Sequence, residues 1–293
     1  MNMKLLNKQV KLNQVLKNGV LYHYTKCNGI NGILNTNCFW ATKSDFLNDP
    51  KEFCYIENIL RAVCQECIGN NKYRQMFLTD ILEEQVLLSG GRNRDYFVLS
   101  FSKSRDSITM WSEFGHKTGY SIGFDSPAIL ERIQEKNVID YYGFVIYDFE
   151  EQKQIVKRII CDCVPESLNA SFTDIIDAGI RDRNSDIYQK ACRRIQKITA
   201  VYAMFFKNTA FKEEQEYRFV FKKRKETQVL YREKDGFLIP YIQIQLSEKR
   251  LPVKEIMVAP QNHIDLAQKG MEYMMAEKGY SVTVELSNIK LRY

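Results

Sequence analysis

The chain has 293 residues, 45% hydrophobic and 27% charged, which excludes an intrinsically disordered polymer. Its 42 basic and 36 acidic residues leave a net charge of +6, compatible with a nucleic-acid partner without requiring one. No run of about 20 apolar residues reads as a membrane span, and the start lacks the apolar stretch of a secretory signal. The expectation is a cytoplasmic protein whose eight cysteines are reduced thiols.

Residues 20–25, VLYHYT, read as a short strand ending in polar residues. GINGILNTNCFWATK then supplies a turn of helix and a strand near Phe39–Ala41. A helix should start at Asn48-Asp49-Pro50. Asp49 can cap, Pro50 suits the first helical position and Glu52 favours the positive end. It should run to about Ile68, and a second should follow over about 72–88. Phe53, Ile56, Leu60, Cys64 and Cys67 share one side of the first helix, so Cys64-x-x-Cys67 reads as buried core. Zinc would need two more ligands. Cys161-x-Cys163 has the wrong spacing and histidines number three, so no metal is expected.

Residues 95–102, DYFVLSFS, form a convincing strand. Asp106–Phe114 reads as a short helix, Gly119–Phe124 as a strand, and Ser126-Pro127 as a helix start. A strand at Ile139–Tyr147 precedes a mostly helical segment near 151–206. Strands follow at Tyr217–Phe221, Gln228–Arg232, Phe237–Leu246 and Ile256–Val258, with Lys222–Lys225 as a solvated basic turn. A helix over His263–Lys278 and a strand at Ser281–Glu285 close the pattern. Strands dominate both ends and helices cluster between them. That is α+β, read as a single domain over 1–293 with a mainly helical insertion near 151–206.

No GxGxxG, GxxxxGK or HExxH stands in the chain, which disfavours Rossmann, P-loop and zincin enzymes. Gly119–Gly123, GYSIG, fits G-x-S-x-G, but a nucleophile elbow needs its Ser on a strand-to-helix turn, and Ser121 lies inside a strand pattern. Four polar spots remain. His23-Tyr24-Thr25 offers a ring that can donate and accept hydrogen bonds, as a sugar hydroxyl requires. Ser100 and Ser102 share one side of a period-two strand. Trp111, with Tyr120 beyond it, offers a flat face for a planar ring. Glu214, Glu216 and Arg218 fall on one face if the strand extends through them. Burial beside a sugar would raise one carboxyl pKa, and a carboxylate could stabilise a positive ribose. Taken singly, each spot also suits a core residue or a solvated sheet edge.

The order H-x-T, S-x-S, E-x-E resembles the three-part signature of ADP-ribosyltransferases. The resemblance implies split small sheets with a central cleft and inserted helices. It implies that His23 and Thr25 bind NAD, that Ser100 or Ser102 shapes the nicotinamide pocket, and that Glu216 is catalytic with Glu214 as the substrate-side acid. Trp111, Tyr120 and Arg218 would complete the NAD site. A wider resemblance, to the bacterial domain of unknown function 2971, rests on three elements: N-D-P-x-E at Asn48–Glu52, S-F-S…M-W…G…F-D across Ser100–Asp125, and E-x-E-Y-R at Glu214–Arg218. Phe211 and Phe114 stand where many members have Trp and Tyr. The implied function is an NAD-consuming transferase or glycohydrolase, a toxin, anti-phage effector or phage-encoded modifier acting on a protein or nucleic acid. Two alternatives stay open: a non-enzymatic nucleotide-sensing or interaction module, and a magnesium nuclease using Asp49, Glu52 and Glu214.

Overall fold

The structure, a computed structural model, describes residues 12–13, 16, 19–47, 55–83, 96–115, 118–135, 139–234, 236–246, 250–261 and 263–290. The expected cap at Asn48–Glu52 lies outside these residues, as does the end of the expected helix at 72–88.

The chain separates into two compact units. One comprises Met1–Leu12, Leu47–Arg94 and Val145–Phe211, and its described elements are helices. These are Tyr55–Cys67, Asn71–Glu83, Phe149–Arg158 with its π-helical continuation Ile159–Cys163, Val164–Ser167, Phe172–Arg181 and Asp186–Tyr202. The sequence explains several of their ends. The Asp148 side chain caps Glu151 N–H, and Ser171 with Asp174 forms a reciprocal capping box. Buried Ile56, Ile59, Leu60, Val63 and Cys64 form the inner stripe of the first helix. The helical segment expected near 151–206 is thus part of this unit, together with the helices at 55–83.

The other unit comprises Asn13–Phe46, Asp95–Phe144 and Lys212–Tyr293 and holds the ten described strands. They are β1 (Val20–Thr25), β2 (Cys38–Lys43), β3 (Tyr96–Ser102), β4 (Tyr120–Asp125), β5 (Tyr141–Phe144), β6 (Glu216–Lys222), β7 (Leu230–Lys234), β8 (Phe237–Gln245), β9 (Val253–Val258) and β10 (Thr283–Leu286). All are linked into one sheet, antiparallel except for the β9–β10 pair. The class is α+β, as expected. The strand expected over Ile139–Tyr147 ends at Phe144, because Ile146 turns to bridge Phe206 in the helical unit.

The sheet forks at β3. One edge of β3 pairs with β6 along its whole length, from Tyr96↔Lys222 to Ser102↔Glu216. The other edge is shared. Its beginning pairs with β2 (Lys43↔Phe97, Thr42↔Val98), and its end pairs with β1 (Tyr22↔Ser102). From this point one arm runs β1-β4-β9-β10 and the other β2-β8-β7.

Strand alternation sorts the side chains by face. Leu21, Phe39, Ala41, Phe97, Leu99, Phe101, Tyr217 and Phe219 line the face that builds the main core. That core is closed by Ile30, Ile33 and Leu34 from helix Cys27–Thr36 and by Ile129, Leu130 and Ile133 from helix Ser126–Glu135. Tyr22 and Tyr24 point the other way, into a smaller cluster with Met110, Trp111, Met257 and Ala259.

Candidate functional site

The fork leaves a gap in the pairing on one edge of β3. The Ser100 carbonyl falls between the last β2 pair, at Val98, and the first β1 pair, at Ser102. A buried carbonyl needs a donor. His23 supplies it, with Nδ1 3.1 Å from Ser100 O. A carbonyl can only accept, so Nδ1 carries the proton and Nε2 of the neutral ring is left as an acceptor. The ring packs at 5.6 Å from Phe39 and 5.4 Å from Phe101, between the two arms. It is enclosed by protein yet retains some accessible surface, as the floor of a fork should. Burial pushes its pKa down to about 4, and the nearby positive Arg232 contributes in the same direction.

The E-x-E element is a turn before it is a strand. Glu214 ends a 3₁₀ helix over Thr209–Glu214, Gln215 adopts φ +45°, and Glu216 begins β6. Two bonds hold the turn. Ser102 Oγ donates to Glu214 O at 2.6 Å, and Lys103 N–H donates to Gln215 O at 3.0 Å. Glu216 and Arg218 are both buried, at 6% and 1% exposure, and meet in a two-pronged pair. Arg218 Nε donates to Oε1 at 3.1 Å and Nη2 to Oε2 at 2.7 Å. Such geometry fixes the plane of the carboxylate.

The predicted residues therefore divide. Ser100, Ser102, Glu216 and Arg218 share a face, since Ser100↔Arg218 and Ser102↔Glu216 are direct cross-strand pairs. His23 and Thr25 leave β1 on the opposite face from Tyr22, the residue paired with Ser102. His23 and Glu216 thus leave their strands on opposite faces, and His23 meets β3 through a backbone carbonyl in the gap of the fork. Glu214 does not share the strand face of Glu216, because the left-handed Gln215 breaks the period-two path. Thr25 is half-buried, and its hydroxyl fills the space where a Gly29 side chain would begin. Trp111 is fully buried, packed edge-on against Tyr24 at 4.7 Å, with Nε1–H donated to Asp106 at 2.7 Å. It has no face to offer a ligand ring and belongs to the core. Tyr120 is buried in the main core, so its phenol is likewise structural. Ser121 lies inside β4, paired to Tyr24 and Met257, which is no elbow.

Sequence reasoning missed a cluster on the β2-β8-β7 arm. Arg232 Nη2 donates to Thr42 Oγ1 at 2.9 Å, while its buried Nε has no hydrogen-bond partner. The guanidinium lies 5.8 Å from the Trp40 ring and 6.0 Å from Tyr241. Trp40 and Tyr241 stack at 4.6 Å, yet Trp40 remains 43% exposed. Alternation places Trp40 and Thr42 on the face of Ser100 and Glu216, since Thr42 pairs with Val98. The one available signal was Trp40 at an outward position between core residues Phe39 and Ala41; nothing tied Arg232 to it before the strands were paired.

Asp49 and Glu52 lie outside the described residues. Among the described residues, no three His, Cys, Asp or Glu side chains gather as metal ligands, and no helix is long and apolar enough to cross a membrane.

A family model for a protein of unknown function (DUF2971) matches residues 110–219, from Met110 through the E-x-E-Y-R element. The match covers under half of the chain and supports that family resemblance. No curated protein and no solved structure matches the chain.

Proposed function

We propose that the sheet unit binds NAD at the β3 fork, breaks the nicotinamide–ribose bond, and passes the ADP-ribosyl group to water or to a macromolecular acceptor, protein or nucleic acid. One observation carries this reading. The strands bearing H-x-T, S-x-S and E-x-E are distant in sequence but lie side by side as β1, β3 and β6. The local chemistry supports it. His23, in the gap of the fork and within the field of Arg232, keeps Nε2 as an acceptor for a ribose hydroxyl that enters the gap, and Arg232, hydrogen-bonded to a neutral threonine, suits a phosphate. Exposed Trp40 gives a planar surface for a base.

In this scheme nicotinamide leaves with the bonding electron pair, and positive charge develops on the ribose carbon. Glu216, oriented by Arg218, stabilises that charge electrostatically. The attacking hydroxyl adds to the same carbon, and Glu214 takes its proton. The ADP-ribosyltransferase-like reading of the fold belongs to this proposal.

A second reading is favoured by a specific observation: Glu216 already has a full bidentate partner, which suits a structural ion pair. The chain would then be a nucleotide-sensing module that binds without chemistry. Thermal unfolding with NAD, ADP-ribose or nicotinamide, beside a nicotinamide-release assay, separates the two. Ligand at about 100 times its dissociation constant stabilises by about 2.7 kcal/mol. Enzyme predicts stabilisation and release, and loss of the stabilisation in Arg232→Ala. The module predicts stabilisation alone. Absence of both overturns both readings.

A further inference from the structure

In the helical unit, Cys67 is the last residue of helix Tyr55–Cys67, and Cys161 lies in the π-helical turn Ile159–Cys163. Their sulfurs approach to 3.2 Å, with the Cys161 thiol donating to Cys67 Sγ. The helical spacing of Cys64 and Cys67 implies a shared place in the core. The structure separates them: Cys64 is buried, whereas Cys67 and Cys161 are both half-buried and reachable. The Cys64-x-x-Cys67 spacing is therefore not the functional pairing, because the partner of Cys67 lies on another helix.

We propose that Cys67 and Cys161 are an oxidisable dithiol, a modification site that closes to a disulfide by exchange with a low-molecular-weight disulfide such as oxidised glutathione. The geometry asks for little movement, since the sulfurs need only close from 3.2 Å to about 2.05 Å. The surroundings select the attacking sulfur. The hydrogen bond from Cys161 brings Cys67 down to about 7, and Lys157 acts in the same direction. Burial, Glu66 and Asp162 oppose it. Cys161 is held well above its ordinary value by that same bond, and buried Cys64 is pushed up to about 12. A thiolate fraction at Cys67 makes it the nucleophile.

The exchange balances as follows. The Cys67 thiolate attacks one glutathione sulfur, the glutathione S–S bond breaks, and one glutathione thiolate leaves and takes up a proton. Cys161 then gives up its proton and its sulfur attacks Cys67 Sγ, releasing the second glutathione. The protein loses two electrons and two protons, and one oxidised glutathione becomes two reduced ones. The product ties the end of helix Tyr55–Cys67 to the helix that begins at Phe149. Lys153 and Lys157 already hold these elements together through Glu66.

The test is to incubate the reduced full chain with oxidised glutathione, block free thiols with a maleimide in acid, and map peptides by mass spectrometry. The expected result is a Cys67–Cys161 cross-link, a mass lower by about 2 Da, and a melting temperature higher by roughly 5 °C. Cys161→Ser should trap glutathione on Cys67, and Cys67→Ser should abolish the cross-link. Both variants should melt within a few degrees of the reduced wild type. Wild-type Cys67 and Cys161 that stay fully maleimide-labelled while exposed Cys27 reacts would overturn the proposal. So would glutathione that accumulates on wild-type Cys67 without a cross-link.

Discussion

Acid should weaken this fold through His23 before the carboxylates titrate. The ring is neutral in the fork because burial holds its pKa near 4, against an ordinary 6.5. Between those values the unfolded chain binds a proton that the folded chain refuses, so stability falls as pH falls. The contribution is intact above pH 6.5, declines towards pH 4, and is constant below. The full loss is about 3 kcal/mol, and about 2 kcal/mol of it is gone by pH 5. The comparison is with His23→Asn, whose amide nitrogen can still donate to the Ser100 carbonyl but does not titrate. Urea unfolding of both proteins at pH 7.5 and 5 gives the two slopes. The variant should be weaker at pH 7.5, from lost packing on Phe39 and Phe101, but lose about 2 kcal/mol less than wild type on acidification. Equal losses, or a His23 titration near its ordinary value by NMR, would refute the reasoning.

Under the proposed chemistry, Glu216→Gln should leave NAD binding within a few-fold while lowering nicotinamide release by on the order of 10²–10³, read by single-turnover kinetics; unchanged release would refute that role for Glu216. Glu216→Ala should instead cost about 3 kcal/mol in urea unfolding, because it removes the two-pronged carboxylate partner of the buried Arg218 guanidinium. Asp106→Ala should cost about 2–4 kcal/mol in the same measurement, since Asp106 accepts from Trp111 Nε1, Ser287 Oγ and Asn288 N–H. Gly119→Ala should destabilise by about 2 kcal/mol or more, because a methyl there meets the backbone carbonyl oxygens of Thr25 and Gly115, which cannot rotate away.

The strands were legible from their runs of apolar and aromatic residues. VLYHYT, YFVLSFS and EYRFVF are largely buried on both faces, and the serines and Arg218 occupy the shared face that period-two spacing implies. What spacing could not give was pairing. That Tyr22, and not His23, stands opposite Ser102 is a register fact, and a one-residue change in register exchanges the two faces. The Glu214 position failed for another reason: one left-handed residue, Gln215, ends the strand pattern where the sequence still looks continuous. The burial of Trp111 was hidden because it depends on Tyr24, from a strand far away in sequence, while Asp106, close by in the chain, takes the indole N–H. Cys67 escaped because its partner is 94 residues away.

The fork makes a histidine structurally useful before it is functional. Here the two arms diverging from one strand edge leave the Ser100 carbonyl between them, and a side-chain donor of suitable reach fills that place. An asparagine could satisfy the Ser100 carbonyl without a desolvated titratable ring. What histidine adds is the second nitrogen, Nε2, held in one orientation by the bond that Nδ1 makes. His23→Asn therefore divides the two roles in a single variant. A variant that still unfolds cooperatively at neutral pH but has lost NAD stabilisation would mean that Nε2 serves a ligand. Retained NAD stabilisation would reduce His23 to a patch in the sheet, and the ligand site would then have to be built from Arg232 and the face that carries Glu216.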